Sequence, residues 1–289
     1  MKLRILGLLL CAAATSAFGA IDSVLLNLVM PDAKVLSGIQ VDQSLASPFG
    51  QYMLSKMQAG DEDFQKFINA TGFDPTHNLH EILAATNSDG SSTSLSAIVL
   101  ARGAFSPTQI LTAAQANGGI VTQYRKFNLI ASPDSNAQTA IVFFDTTTAA
   151  AGDIASVKAA VDRYLAKATY NTPLSQQALA VSNSNSAWFV TQTPLSQFLN
   201  GKLGDTNLNG VSQNNLLQSV AQASGGVQFA SSTITLTGDA VTTSAQNAQS
   251  LIDVMKFLVS MIPSNDPKIA SIASQAQFSV NGTTAHISL

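Results

Sequence analysis

The three histidines are the first candidates for chemistry, because the chain contains no others. His77 and His80 are three residues apart, with Asp74 and Glu81 nearby, a spacing that could place two imidazoles on one side of a helical turn as metal ligands. The segment is polar, however, and Asp74-Pro75 is typical of a turn. We therefore predict two exposed histidines and no metal site.

The sequence also gives little support for a serine hydrolase, an aspartic protease or a glycosidase. No Gly-x-Ser-x-Gly motif occurs, and His286 is expected to face solvent, which disfavours a Ser-His mechanism. Asp145 lies in a segment similar to the aspartic-protease signature but lacks the following glycine, so we predict that it begins a hairpin turn. The acidic cluster at 61–63 fits the start of a helix better than a glycosidase pair.

No cofactor is predicted either. Gly201-Lys202 lacks the upstream glycines of a phosphate-binding loop, and neither common nucleotide-binding motif occurs. We accordingly predict no catalytic, cofactor-binding or metal-binding residue. A hydrolase with an acid-based site that sequence cannot reveal is the alternative.

The composition excludes some classes of partner. Charged residues make up 11% of the chain against 46% apolar residues, and the formal net charge is −3. No run of Lys or Arg is available to neutralise phosphates, so nucleic acid is not an expected partner.

The N-terminus has the features of a secretory signal peptide. Lys2 and Arg4 precede an apolar run over 5–14, followed by small residues that suit cleavage after Gly19, with Ala17 as the close alternative. Leu10 stands where a lipid-anchored Cys11 would need a small residue, which argues against lipidation. We expect a mature chain that is cysteine-free, has a net charge of −5 once the two basic residues are lost, and works in the periplasm or outside the cell.

A recurrent pattern of a strand followed by a helix predicts the main elements of the fold. Three alternating apolar segments lead into Ser47-Pro48, Ser106-Pro107 and Thr193-Pro194, where a hydroxyl can cap a helix that begins with proline. Further helices are predicted over 61–70, 153–166 and 244–262, the last with its apolar stripe stopped by Pro263. Further strands are predicted at 81–86, 120–125, 127–132, 138–144 and 146–151.

Two more strand predictions concern the C-terminal part. One long strand over 227–239 changes its apolar parity, which indicates a bulge near Ser231-Ser232. Asn281-Gly282 predicts a hairpin that pairs Val280 with Thr283 and His286 with Gln277.

These elements predict an α+β fold with antiparallel sheets covered by helices, because the strands lack regular βαβ spacing. After the signal peptide (1–19), the chain divides into an N-terminal half (20–168) and a C-terminal half (169–289). The two halves contain similar series of strands and helices, and this similarity indicates an internal duplication.

One weak resemblance supplements this interpretation. Around Phe73-Asp74-Pro75, at 99–103, at 47–50 and at Gly152-Asp153, the chain resembles uncharacterised exported proteins of soil bacteria of acidobacterial type. The resemblance covers most of the first half and implies export and an α+β fold, without a catalytic residue.

The expected function is therefore non-enzymatic. A low-charge exterior rich in Ser, Thr, Asn and Gln suits hydrogen-bonded contacts. We predict an exported envelope or secreted protein that binds a protein partner or a small ligand, with no integral membrane segment after signal cleavage.

Overall fold

The computed structural model describes residues 20–58, 62–88, 96–132, 138–194, 207–208, 211–212, 218–230, 232–260, 271 and 273–289. It confirms the predicted α+β fold, with a large antiparallel sheet and helices on its faces. The predicted signal peptide, with Cys11, lies outside the described residues.

Fourteen strands occur in the described part of the chain. They are β1 (Val35–Gln40), β2 (Leu79–Thr86), β3 (Ala97–Gly103), β4 (Ile120–Tyr124), β5 (Phe127–Ala131), β6 (Thr139–Phe143), β7 (Thr148–Asp153), β8 (Ala187–Thr191), β9 (Asn207–Leu208), β10 (Val211–Ser212), β11 (Val220–Phe229), β12 (Ile234–Thr242), β13 (Gln277–Asn281) and β14 (Thr284–Ser288).

Nine helices connect these strands within the same described ranges. They are α1 (Ser23–Asn27), α2 (Val41–Ala46), α3 (Pro48–Gln58), α4 (Glu62–Thr71), α5 (Pro75–Asn78), α6 (Pro107–Ala116), α7 (Ile154–Ala166), α8 (Pro173–Ser182) and α9 (Ala245–Ser260).

Twelve strands form one sheet in the order β13-β14-β12-β11-β8-β1-β2-β3-β7-β6-β5-β4, with every neighbouring pair antiparallel. The order of the first five strands outward from the centre is the same on both sides, while β5 and β4 at one edge have no counterpart. β1, β2, β3 and then β7 and β6 correspond to β8, β11, β12 and then β14 and β13. The helix that follows the third strand is α6 on one side and α9 on the other. The predicted division at residue 168 stays a prediction, while the sheet itself runs without a break through the β1–β8 pair.

Glycines allow aromatic rings to lie flat where β8 meets its neighbours. A Cβ atom on Gly38 would come within 2.5 Å of the Trp188 ring, which packs across the β1–β8 pair. A Cβ atom on Gly225 would come within 2.9 Å of Phe189 on the opposite side of the sheet. Large side chains at either glycine would therefore push β8 out of register.

The two faces of the sheet differ in burial, and we name them face A and face B. Face A carries the fully buried Leu36, Leu83, Leu100, Val142 and Val190, which the strand registers place on one side. Helices α1, α7 and α8 cover this side, because Leu25, Val157 and Leu174 join the same hydrophobic cluster. This cluster is the main core of the protein.

Face B carries the alternate residues of the same strands, and α3, α6 and α9 lie on it. Phe49 of α3 stacks on Phe229 of β11, with ring centroids 5.6 Å apart. A smaller core forms where α9 packs on the C-terminal strands, and it buries Val220, Ala223, Ala248, Leu251, Ile252 and Ala285.

The prediction of one long strand over 227–239 is wrong, because this range contains parts of two strands, β11 and β12. The chain turns back after Phe229, and the Ala230 N–H donates to the Thr233 carbonyl (2.9 Å), so that β11 and β12 form a hairpin. The parity change therefore marks a turn and not a bulge, because the returning strand restarts its alternation.

The predicted C-terminal hairpin is confirmed, but its register is wrong. Asn281 pairs with Thr284 and Val280 with Ala285, so Gly282 and Thr283 form the loop. Gly282 has φ +58°, which suits the first central position of a type II′ turn. The shift is two residues, so Phe278, Val280, Ala285 and Ile287 still share the apolar face B.

Helix starts differ in part from the prediction. The Ser47 hydroxyl accepts the Gly50 N–H (3.0 Å), as expected of a cap, whereas the Ser106 side chain caps no N–H of α6. The helix after Thr193-Pro194, Pro263 and the bulge residue Ser231 lie outside the described residues. Four helices were not predicted, α1, α2, α5 and α8, although α8 begins with a Thr172/Ser175 capping box.

No helix in the described ranges combines the length and the apolarity that a membrane span requires.

Candidate functional site

Helix α6 is loosely packed on the described part of the sheet. It begins at Pro107, directly after β3, and ends before Gly118, whose φ of +79° turns the chain into β4. None of its ten residues is buried. Protein interiors are normally close-packed, so a helix of this composition that buries nothing leaves space against the sheet.

The floor beneath α6 is a row of cross-strand partners on face B. Val99 pairs with Ala151, Ala151 with Ile141, and Ile141 with Ile130. Val99 remains 43% exposed and Ile141 41% exposed, although both lie on inner strands of the sheet. The row is apolar throughout and is only partly covered.

The space between this row and α6 is a cavity of about 590 Å³, which we call the α6 groove. Ala114 and Asn117 of α6 line it together with the floor residues. Its polar groups stand at one end, on Asn117, Ser132 and Thr139. A cavity of this size and lining is typical of a site for a small ligand.

Two further cavities border the same helix. One of about 170 Å³, the Lys126 cavity, lies at the N-terminal end of α6 and is lined by Thr108, Leu111, Lys126, Ile130 and Phe143 among others. Another of about 730 Å³ lies on the far side of α6, toward Phe105 and the end of α4. Ile130 lines both the Lys126 cavity and the α6 groove, so these two adjoin.

Edge-on and tilted aromatic contacts lie on the side of α6 that faces α4. Phe67 of α4, Phe73, Phe105 and Phe143 of β6 form a continuous series with ring centroids 5.4–6.3 Å apart. The series fixes the start of α6 through Phe105, two residues before Pro107. The helix is therefore anchored at one end and loosely packed along its length.

The predicted histidine pair lies elsewhere: His77 lines a cleft of about 580 Å³ between α2, α3 and α5, and Asp42, the partner of His80, lines it as well. His77 Nδ1 lies 2.8 Å from Asp74 Oδ2, and His80 Nδ1 lies 3.0 Å from Asp42 Oδ2. The imidazoles are 74% and 49% exposed, as the sequence predicted. Partial burial raises the pKa of Asp74, but hydrogen bonds from Thr76 and His77 outweigh it and lower the pKa below its usual value.

Glu81 does not join these histidines. It lies on face A and is 8% exposed, and its two carboxylate oxygens each lie 3.2 Å from the Asp22 N–H. Burial raises the pKa of Glu81 to about 7, although the Asp22 N–H and the Gln40 side chain oppose the increase. Arg102, its cross-strand neighbour, forms an ion pair with the Asp22 carboxylate (2.8 Å). The cluster attaches the N-terminal segment to the sheet.

The other sequence candidates do not come together. His286 pairs with Ser279 on the polar part of face A, and its Nδ1 lies 2.7 Å from Asp239 Oδ1. Asp145 accepts the Thr147 N–H (2.7 Å) in the turn between β6 and β7, where the sequence predicted a turn. Gly201-Lys202, Asp61 and the side chains of Glu62 and Asp63 lie outside the described residues.

No three His, Cys, Asp or Glu side chains of the described ranges converge in an arrangement that could hold a metal ion. The metal interpretation of His77 and His80 therefore gains no third ligand from that part of the chain.

The fold defines a class of protein, an α+β protein with one broad antiparallel sheet and helices on both faces. Among solved structures, the chain is similar to TP0453 in its crystal form III (TM-score 0.54, 10% identity, covering 93% of this chain and 94% of that chain). Crystal form IV gives a TM-score of 0.54 at 10% identity, covering 91% of this chain and 92% of that chain. At this identity the similarity shows the fold alone. No protein-family model matches the chain, and no curated protein does.

Sequence reasoning missed the α6 groove. Val99, Ile141 and Ile130 read as strand residues with one buried face, and the pattern alone cannot show that the opposite face is also apolar and only partly covered. The available signal was the near-continuous apolar character of β3, β5 and β6, which is typical of strands with helices on both faces.

Proposed function

We propose that this protein is a non-enzymatic binding protein that takes a small apolar ligand into the α6 groove. The observation that carries the proposal is the partly exposed row of Val99, Ala151, Ile141 and Ile130 beneath a helix that buries none of its own residues. Burial of this surface by a ligand would release the water that now covers it, which is the main source of affinity for apolar molecules.

The chemistry of the groove supports binding over catalysis. Among the described residues that line it, none is titratable, and the polar groups are the side chains of Asn117, Ser132 and Thr139. A groove without an acid or a base to activate its hydroxyls can orient a ligand but cannot transfer its protons.

We further propose export, with the signal peptide removed near Gly19, and a periplasmic or extracellular site of action. The apolar run over 5–14 and the resemblance to exported proteins of acidobacterial type support this proposal. Mass spectrometry of the protein secreted or released from the periplasm would identify the N-terminal residue. A retained residue 1 would contradict export through this signal.

The binding proposal is tested by titration with N-phenyl-1-naphthylamine, a neutral probe that fluoresces in apolar surroundings. We expect saturable binding of one probe per chain. Ala114→Trp should abolish it, because the indole would fill the groove from the α6 side. The matched control is Gln249→Trp on the exposed side of α9, which should retain binding. Unchanged binding by Ala114→Trp would contradict the assignment of the groove.

A second candidate function is hydrolysis at the cleft between α2, α3 and α5. His77 lines this cleft, and its Nδ1 and that of the nearby His80 each contact an aspartate, the arrangement that prepares a histidine to act as a general base. Hydrolysis of p-nitrophenyl esters that is lost in both His77→Ala and His80→Ala would support this candidate. Equal rates for both variants and the original chain would exclude it.

A further inference from the structure

The Lys126 cavity and the α6 groove adjoin beneath α6, and the two ends of the space that they form differ in chemistry. Leu111 and Ala114 lie three residues apart on α6 and line the Lys126 cavity and the α6 groove respectively. Ile130 lines both cavities from the sheet. A ligand can therefore lie along the helix, with one end beside Lys126 and the other beneath Ala114.

The end beside Lys126 is electropositive. Lys126 is the one charged residue among the described residues that line the three cavities around α6. The neighbouring Arg125 forms an ion pair with Asp162 (3.2 Å), whereas Lys126 has no carboxylate partner in the described ranges, and its ammonium lies 5.5 Å from the centroid of the Phe127 ring.

Other groups at this end also favour an anion. Asn128 offers an amide donor, and the first turn of α6, at Thr108, has no cap from the Ser106 side chain. Free N–H groups and the helix dipole there stabilise negative charge. The opposite end of the space has no charged lining group in the described part of the chain and is floored by Val99 and Ile141.

From this charge complementarity we infer that the ligand is a single-chain amphiphile with an anionic head group. The head, a carboxylate, a sulfate or a phosphate ester, lies beside Lys126, and the apolar chain lies in the α6 groove. The inference rests on the proposed function, because it assigns the ligand class of the same groove.

The test compares three amphiphiles with the same alkyl chain, decyl sulfate, decyltrimethylammonium and decyl maltoside, by calorimetry below their critical micelle concentrations. We expect decyl sulfate to bind roughly tenfold more tightly than the other two, the worth of one charge-assisted hydrogen bond. Lys126→Glu should remove that preference. The matched control is Lys158→Glu on α7, since Lys158 also lies over an aromatic ring, that of Tyr124 at 5.4 Å, but lines none of these cavities.

Each outcome separates the inference from the function on which it rests. Equal affinity for the three amphiphiles, all blocked by Ala114→Trp, would overturn the anionic head group and leave the apolar groove standing. Absence of all binding, or decyl sulfate binding that Ala114→Trp does not weaken, would overturn both. Binding only to micelles or to phosphatidylglycerol vesicles would also contradict the inference, because the ligand proposed is a single molecule.

Discussion

Helices α6 and α9 occupy matching places in the two halves of the sheet and differ sharply in packing. Each follows the third strand of its half and lies on face B. α9 buries Ala248 (0% exposed) and Ile252 (1% exposed) in a cluster with Ala223 and Ala285, whereas α6 has no fully buried residue and leaves Val99 and Ile141 partly exposed. On the same face of the C-terminal strands, Phe189, Leu236 and Ile234 are exposed to a similar extent, so the closed core is confined to the part of the sheet that α9 covers, while a groove lies under α6.

The difference lies in the side chains that the two helices place on the sheet. α9 directs Ala248, Leu251 and Ile252 into a cluster with Val220, Ala223 and Ala285 of the sheet, and all six side chains are buried. In the row beneath α6, the branched Val99, Ile141 and Ile130 face the short side chain of Ala114, which does not fill the space above them. The proposed ligand binding under α6 rests on this mismatch.

The largest expected effect concerns loss of buried bulk. Ile252→Ala in α9 should lower the free energy of unfolding by about 3–4 kcal/mol, because it leaves a cavity in the smaller core. The matched change Leu111→Ala in α6 should cost less than about 1 kcal/mol, since that side chain is only partly buried. Urea denaturation of both variants measures this. Equal losses would show that α6 is as well packed as α9.

The stability of the protein at different pH values tests whether face A of the N-terminal strands is tightly packed around Glu81. Its pKa in the folded state, about 7, lies above the unfolded value of 4.5, so the folded protein retains a proton that the unfolded chain loses between these pH values. The free energy of unfolding should therefore fall as pH rises from about 4.5 to 7 and level off above.

Glu81→Gln should remove this fall and stabilise the protein at pH 8 by about 3 kcal/mol, with little effect at pH 4. The control Asp253→Asn on the exposed side of α9 should change stability by less than about 0.5 kcal/mol at either pH. A Glu81 variant that is no more stable than the original at pH 8 would show that face A is hydrated at this point.

Added bulk should have opposite consequences in the two helices. Ala248→Leu should destabilise the protein by about 2 kcal/mol, because the position is fully buried and has no spare volume. Ala114→Leu should be neutral or slightly stabilising, because the new side chain enters the groove. Thermal unfolding of the two variants measures this difference. An equal loss of stability in Ala248→Leu and Ala114→Leu would contradict the difference in packing between α9 and α6.

The elements of both halves could largely be predicted from sequence, and the difference between the halves could not. Hydrophobic periodicity correctly predicted α7, α9 and most strands of the N-terminal half. The turn after Phe229 was missed because Ala230 to Thr233 lacks glycine and proline, the residues that usually mark a turn. The hairpin register was misassigned because Asn281-Gly282 is the stronger local turn signal, yet Gly282-Thr283 forms the loop.

The candidate site depends on distances between elements that are far apart in the chain, and a single sequence does not show these distances. The pattern of β3 and β6 shows that both of their faces are apolar, but not how closely α6 approaches them. Lys126 reads as an ordinary surface residue until the fold places it beside the N-terminal end of α6. The exposed state of His77 and His80 was predicted, whereas the pairing of His80 with Asp42 joins residues 38 positions apart.

Hydrogen exchange of α6 with and without N-phenyl-1-naphthylamine measures the packing of this helix and its response to a ligand together. The amides of α6 should exchange much faster than those of α9 in the free protein and become protected when the probe is bound, while α9 is unchanged. Protection of α6 equal to that of α9 without the probe, or no gain of protection with it, would show that α6 does not cover a ligand-binding groove.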